Sequence, residues 1–158
     1  MSSDARTILL VEDDSNDVFF LQFAFESAGI GNPLQVVGDG QQAINYLAGT
    51  GQYADRSKYP FPVLVLLDLK LPVKMGLEVL RWVQNQPRLS NLLVIVLTSS
   101  ADSNDVEKAY SLGARSYLVK PVSLNKRVEM ARVIKNYWLE LNRFPSALHA
   151  SSNQGTNP

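Results

Sequence analysis

Residues 63–68 read Val-Leu-Val-Leu-Leu-Asp, an apolar run closed by a carboxylate. A short run with no polar interruption suits a strand buried on both faces of a parallel sheet. Four further runs are similar: Thr7–Val11, Leu34–Val37, Leu92–Leu97 and Ser116–Val119. A short apolar helix could imitate any one of them. Their regular alternation with helical segments points instead to repeated βα units.

Working outward, the first helix is expected over Asn16–Ala28, capped near Ser15 or Asn16 and stopped by Gly29. Val18, Leu21, Phe25 and Ala28 fall on one face of it. Further helices are expected over Gln41–Leu47, Leu77–Gln84, Val106–Leu112 and Asn125–Leu141. Residues 48–62 are rich in Gly, Pro and Tyr and read as a long loop, because Pro60-Phe61-Pro62 cannot continue a helix. The sequence thus predicts an N-terminal tail over 1–5, a domain over 6–144 and a flexible C-terminal tail over 145–158.

A chain of 158 residues can bury the core of one domain. Its 15 Lys and Arg balance 15 Asp and Glu, so no global positive field exists to hold nucleic acid, and no direct DNA binding is expected. The chain has no cysteine, which excludes disulfides, thiolate zinc sites and a Cys nucleophile. No apolar stretch approaches the ~18 residues of a membrane span, and Met1–Arg6 lacks a signal-peptide core. A cytoplasmic protein without membrane contact is the expectation.

Parallel α/β sheets place ligands outside the carboxyl ends of their strands. The residues found there are Glu12, Asp13 and Asp14 after the first run, Asp68 and Lys70 after the third, Thr98 and Ser99 after the fourth, and Lys120-Pro121 after the fifth. Gathered carboxylates repel unless a cation sits among them. Hard oxygen donors favour Mg2+ or Mn2+. A lysine and a hydroxyl can take phosphoryl oxygens, and Asp68 is then the natural nucleophile for an acyl phosphate.

Together, Glu12-Asp13, Asp68, Thr98 and Lys120-Pro121 resemble the receiver domain of two-component response regulators, in order and in strand attachment. Leu71-Pro72, Met75-Gly76, Ser99 and Gly113-Ala114 extend the resemblance, which covers about residues 6 to 141. It implies an α/β, flavodoxin-like (βα)5 fold: a doubly wound five-stranded parallel sheet of strand order 2-1-3-4-5. It also implies a phosphoacceptor switch rather than an enzyme, which assists its own phosphorylation and autodephosphorylation. Asp68 would accept the phosphoryl group from a sensor histidine kinase in a phosphorelay. Asp13, Glu12 (largely through water), Asp68 and the Lys70 backbone carbonyl would hold Mg2+ or Mn2+. Lys120 would pair with the phosphoryl group, Thr98 would move towards it, Tyr117 would swing inward, and Lys120-Pro121 would be cis. The long loop, the Asp39-Gly40 turn and Tyr137-Trp138-Leu139-Glu140 resemble the stand-alone regulators partnered with phytochromes, which implies a phytochrome-type kinase as partner. Lys70, two residues past the acceptor, is expected to hinder water and slow autodephosphorylation.

Each residue also has a plainer reading. Glu12-Asp13-Asp14 could cap the first helix, Asp68 could be a turn residue, Thr98 and Ser99 could start a turn, and Tyr117 could fill the core. Coincidence at successive strand ends favours the functional reading. Lys126, Arg127, Arg132 and Lys135 read as a solvated face, and His149 as a tail residue. Phe19, Phe20, Phe23 and Phe25 read mostly as core, but four aromatics exceed one helix face and leave some for a partner. Trp138, Leu139, Leu141 and Phe144 lie past the expected sheet-packed helix and would suggest a homodimer interface. The alternatives are a Mg-dependent phosphatase-like hydrolase, a flavin or nucleotide binder, and a degenerate receiver used as a scaffold. Lys70 stands where the hydrolase carries its acid/base carboxylate, and Glu12-Asp13-Asp14 would repel a bound phosphate. A degenerate receiver usually lacks the acidic pair or the acceptor, and this chain has both.

Overall fold

The computed structural model describes residues 6–145. The expected tail at 1–5, and that at 145–158 beyond Pro145, with His149, lie outside the described residues. Five strands run in order β1 (Ile8–Val11), β2 (Leu34–Val37), β3 (Leu64–Leu67), β4 (Leu93–Thr98) and β5 (Ser116–Val119). Between and after them come α1 (Ser15–Ser27), α2 (Gly40–Ala48), α3 (Gly76–Gln84), α4 (Ser103–Ser111) and α5 (Leu124–Val133). The strands form one sheet of order β2-β1-β3-β4-β5, every pair parallel, as the resemblance implied.

Alternation along each buried strand divides the core. Leu9, Val11, Val65, Leu67, Val94 and Val96 face α2, α3 and α4. Ile8, Leu10, Leu64, Leu66, Ile95 and Leu97 face α1 and α5. Both faces of β1, β3 and β4 are therefore dry, which is why their sequences lack alternation. β2 and β5 lie at the edges and are more exposed.

Local chemistry sets the helix ends. Asp14, rather than Ser15 or Asn16, caps α1: its Oδ1 accepts from the amides of Asn16 (2.8 Å) and Asp17 (3.2 Å). Leu21, Ala24 and Phe25 form the buried stripe of α1. The expectation that most of its phenylalanines are core is corrected: Phe19, Phe20 and Phe23 are exposed. One stripe facing one sheet can take only Phe25 of the four.

The expected last helix also changes character. It is α-helical to Val133 and continues as a π-helical segment over Ile134–Leu141. The wider winding accompanies burial of Leu139, and Trp138 and Phe144 pack against the same core. Only Leu141 of the four proposed interface residues stays largely exposed, with Tyr137 beside it.

The long loop folds back on α2 and contains a 3-10 turn, Gly51–Ala54. Arg56 donates to the carbonyls of Tyr46 (2.7 Å), Leu47 (3.1 Å) and Tyr59 (3.3 Å), closing the end of α2. Its guanidinium lies over the rings of Tyr46 and Phe61. Tyr46, Tyr53 and Tyr59 pack ring against ring beneath it.

Candidate functional site

Parallel register brings the strand ends level. Val11 pairs with Leu67, Leu67 with Val96, and Thr98 with Val119. Glu12, Asp68, Thr98 and Lys120 therefore emerge along one edge. Backbone bonds hold them there: Glu12 N–H donates to Val37, Asp68 N–H to Val11 and Lys120 N–H to Thr98.

Asp68 is buried and bonded on both oxygens. Oδ1 accepts from the Thr98 hydroxyl at 2.9 Å and the Lys70 amide at 3.2 Å. Oδ2 accepts from Lys120 Nζ at 2.8 Å. Lys120 also donates to Glu12 and, at 3.0 Å, to Asp17. Asp17 in turn accepts from Arg127 at 3.1 Å. Thr98 already faces the acceptor. Tyr117 is half-buried, packs against the core and donates from its hydroxyl to the Ser100 carbonyl at 2.8 Å. The Lys70 side chain is exposed.

No cis peptide occurs among the described residues, so the expected cis Lys120-Pro121 bond is trans. Proline weakens the trans preference of the bond before it to about 0.5–1 kcal/mol but does not reverse it.

One carboxylate oxygen each of Glu12, Asp13 and Asp68 lies within 4.8 Å of the others. Glu12 and Asp68 are buried, while Asp13 is exposed. The set fits a small hard cation: the donors are all oxygen, and the open side at Asp13 leaves room for retained water.

The crowding appears in the proton affinities. Glu12 is pushed up to about 7: burial and the neighbouring Asp68 raise it, and Lys120 and the Asp14 amide oppose them. Burial also pushes Asp68 up, but hydrogen bonds from Lys120, Glu12 and Thr98 outweigh it and hold its carboxyl below the ordinary value. Lys120 is desolvated too, yet its carboxylate partners raise it.

Sequence reasoning missed two members of this cluster. Asp17 sits in the first turn of α1, where an acidic residue reads as complementing the helix end. Arg127 read as solvated, and that is corrected: its side chain is 16% exposed, and it bridges Asp17 and the Pro121 carbonyl (2.8 Å). Nothing in the sequence separates it from Lys126 or Arg132, which are exposed on the same helix.

Comparison with known proteins agrees with this geometry. The chain is 36% identical over 146 residues to the response regulator Rcp1 of Synechocystis, covering 92% of this chain and 97% of that protein. It is 37% identical over 144 residues to a probable methanogenesis regulatory protein, FilR2, of Methanothrix harundinacea, covering 91% and 90%. The solved Mn2+-bound form of Rcp1 superposes with a TM-score of 0.79, covering 89% of this chain and 99% of that one at 36% identity. The phosphorylated cyanobacterial phytochrome response regulator RcpA superposes with a TM-score of 0.82 at 33% identity, covering 89% and 99%. The response regulator receiver domain model matches residues 8–132. With that match, the five-stranded sheet and the acidic strand-end cluster, the chain belongs to the response regulator receiver domain family, the regulatory switches of two-component signalling.

Proposed function

We propose that Asp68 accepts a phosphoryl group from a phosphohistidine of a sensor histidine kinase. The observation that carries this reading is the pairing of a buried, charge-favoured Asp68 with Thr98 on one oxygen and Lys120 on the other. An Asp68 oxygen attacks phosphorus, the P–N bond breaks, and the imidazole nitrogen keeps the electron pair. Thr98 and Lys120 then take phosphoryl oxygens, and Tyr117 turns inward towards Thr98. Asp13, Glu12 and Asp68, whose carboxylates cluster, would together with the Lys70 carbonyl hold Mg2+ or Mn2+, which would neutralise phosphoryl charge. Attack of water on the phosphorus of the Asp68 acyl phosphate then releases inorganic phosphate and restores the carboxylate.

Similarity to a phytochrome response regulator supports a phytochrome-type kinase as donor. Exposed Tyr137 and Leu141 support self-association through the C-terminal segment. A cysteine-free chain whose described residues contain no helix long and apolar enough to cross a membrane suits the cytoplasm.

Incubation with acetyl phosphate and Mg2+, read by intact mass and gel filtration, tests these points together. One phosphoryl adduct is expected on wild type and none on Asp68→Asn. No adduct under any donor or metal would remove the phosphoacceptor reading. An elution volume unchanged by phosphorylation and by truncation after Asn136 would remove the C-terminal interface.

A further inference from the structure

The phosphoacceptor reading uses Lys120 and leaves a second cation of the cluster, the half-buried Arg127, without a task. Arg127 reaches Lys120 by two routes, one through the chain beside it and one through Asp17 on α1. Its Nε donates to the carbonyl of Pro121, the residue after Lys120. Its Nη1 donates to one oxygen of Asp17, whose other oxygen accepts from the Lys120 ammonium. The turn after β5 and the tip of the lysine side chain are thus both referred to one guanidinium on α5.

An ammonium has three N–H donors, and here they face three carboxylates: Glu12, Asp17 and Asp68. Beneath lies a cleft of about 10 Å3, walled by Leu10, Leu21, Leu97 and Met130. Glu12 and Asp17 line the same cleft, so those two carboxylates are the acidic groups its walls offer the ammonium. The position of Lys120 is therefore set by competition among carboxylates. Asp17 standing alone would draw Lys120 off Asp68, whereas Asp17 paired with Arg127 draws less.

We propose that Arg127 is a positioning residue for phosphoryl transfer: by engaging Asp17 it keeps Lys120 available to Asp68 and the incoming phosphoryl oxygens. The inference rests on the phosphoacceptor reading. It adds an α1–α5 control of the lysine that no residue at the strand ends supplies. Phe20 on α1 lies under the same guanidinium, 5.5 Å from ring centre to Cζ, so the bridge reaches an exposed surface.

The test is the initial rate of adduct formation on the full chain with acetyl phosphate and saturating Mg2+. Arg127→Gln is expected to slow it about three- to tenfold, towards the lower end for a contacting pair. Arg127→Lys is expected to recover most of the rate, because it keeps the charge on Asp17. In an Asp17→Asn background, Arg127→Gln should cause no further loss. An unchanged rate in Arg127→Gln, or the same loss in the Asp17→Asn background, overturns the proposal. A second readout does not depend on phosphorylation: the 1H–15N resonance of the Lys120 ammonium should move in Arg127→Gln and return in Arg127→Lys. Should wild type form no adduct, the phosphoacceptor reading fails. The resonance then decides the positioning role, and one that does not move overturns it.

Discussion

Val73 is the only non-glycine residue at positive φ among the described residues, with φ 64°. The Lys74 amide donates to the Pro72 carbonyl at 2.7 Å, closing a γ-turn around it. A β-branched residue is strained there, and its side chain is 76% exposed, so little packing compensates. Val73→Asn is expected to raise stability by about 1 kcal/mol, read as a higher urea midpoint with unchanged slope. Val73→Pro, locked at negative φ, is expected to lower it. The strain was invisible in Leu-Pro-Val-Lys-Met-Gly, since no residue there names the left-handed position. Asp68, Thr98 and Lys120 were legible because each closes an apolar run, and strand ends in a parallel sheet share an edge. Asp17 and Arg127 were not, because a helix exposes charges in many directions and only tertiary packing selects which turn inward.

The loop between α2 and β3 depends on one side chain. Arg56 holds three carbonyls at once, and burial lowers its own affinity for a proton. Arg56→Ala is expected to destabilise the protein by about 2 kcal/mol by leaving helix-end carbonyls unpaired. Hydrogen exchange should accelerate first over residues 45–62, and uniform acceleration through the sheet would contradict this account. Gly, Pro and Tyr marked the segment as non-helical but did not show that it was packed, because three tyrosines and an arginine form a cluster only once the chain turns back. Strand positions were readable to within a residue. The π-helical winding after Val133 was not, since the apolar spacing there also fits an α-helix.

Across the whole molecule, the sheet order was readable through the family resemblance, and the core through runs without alternation. Its response to pH follows from the acidic cluster. In metal-free protein, folded Glu12 keeps its proton to about 7, against an ordinary value of 4.5. The folded state binds the extra proton between those values, so stability falls as pH rises through that window, by at most ~3 kcal/mol. Asp68 acts oppositely: its contribution is present above its ordinary value and is lost as pH falls through the folded one, below the Glu12 window. The thermal midpoint in EDTA is therefore expected to decline from pH 5 to 7 and then level. Mg2+ should raise it most above pH 7, where no proton competes for Glu12. A midpoint in EDTA that climbs across the same range would contradict the raised Glu12. Two glycines give this pH-sensitive cluster a fixed mount. A Cβ on Gly76 would lie 2.3 Å from the Asp68 carbonyl oxygen, and one on Gly40 would lie 2.0 Å from that of Lys74. The segment from Asp68 to Gly76 is thus wedged between the starts of α2 and α3, like the stationary jaw of a vice. Bulkier residues at either glycine would push this segment, and Asp68 at its head, out of register with β4 and β5.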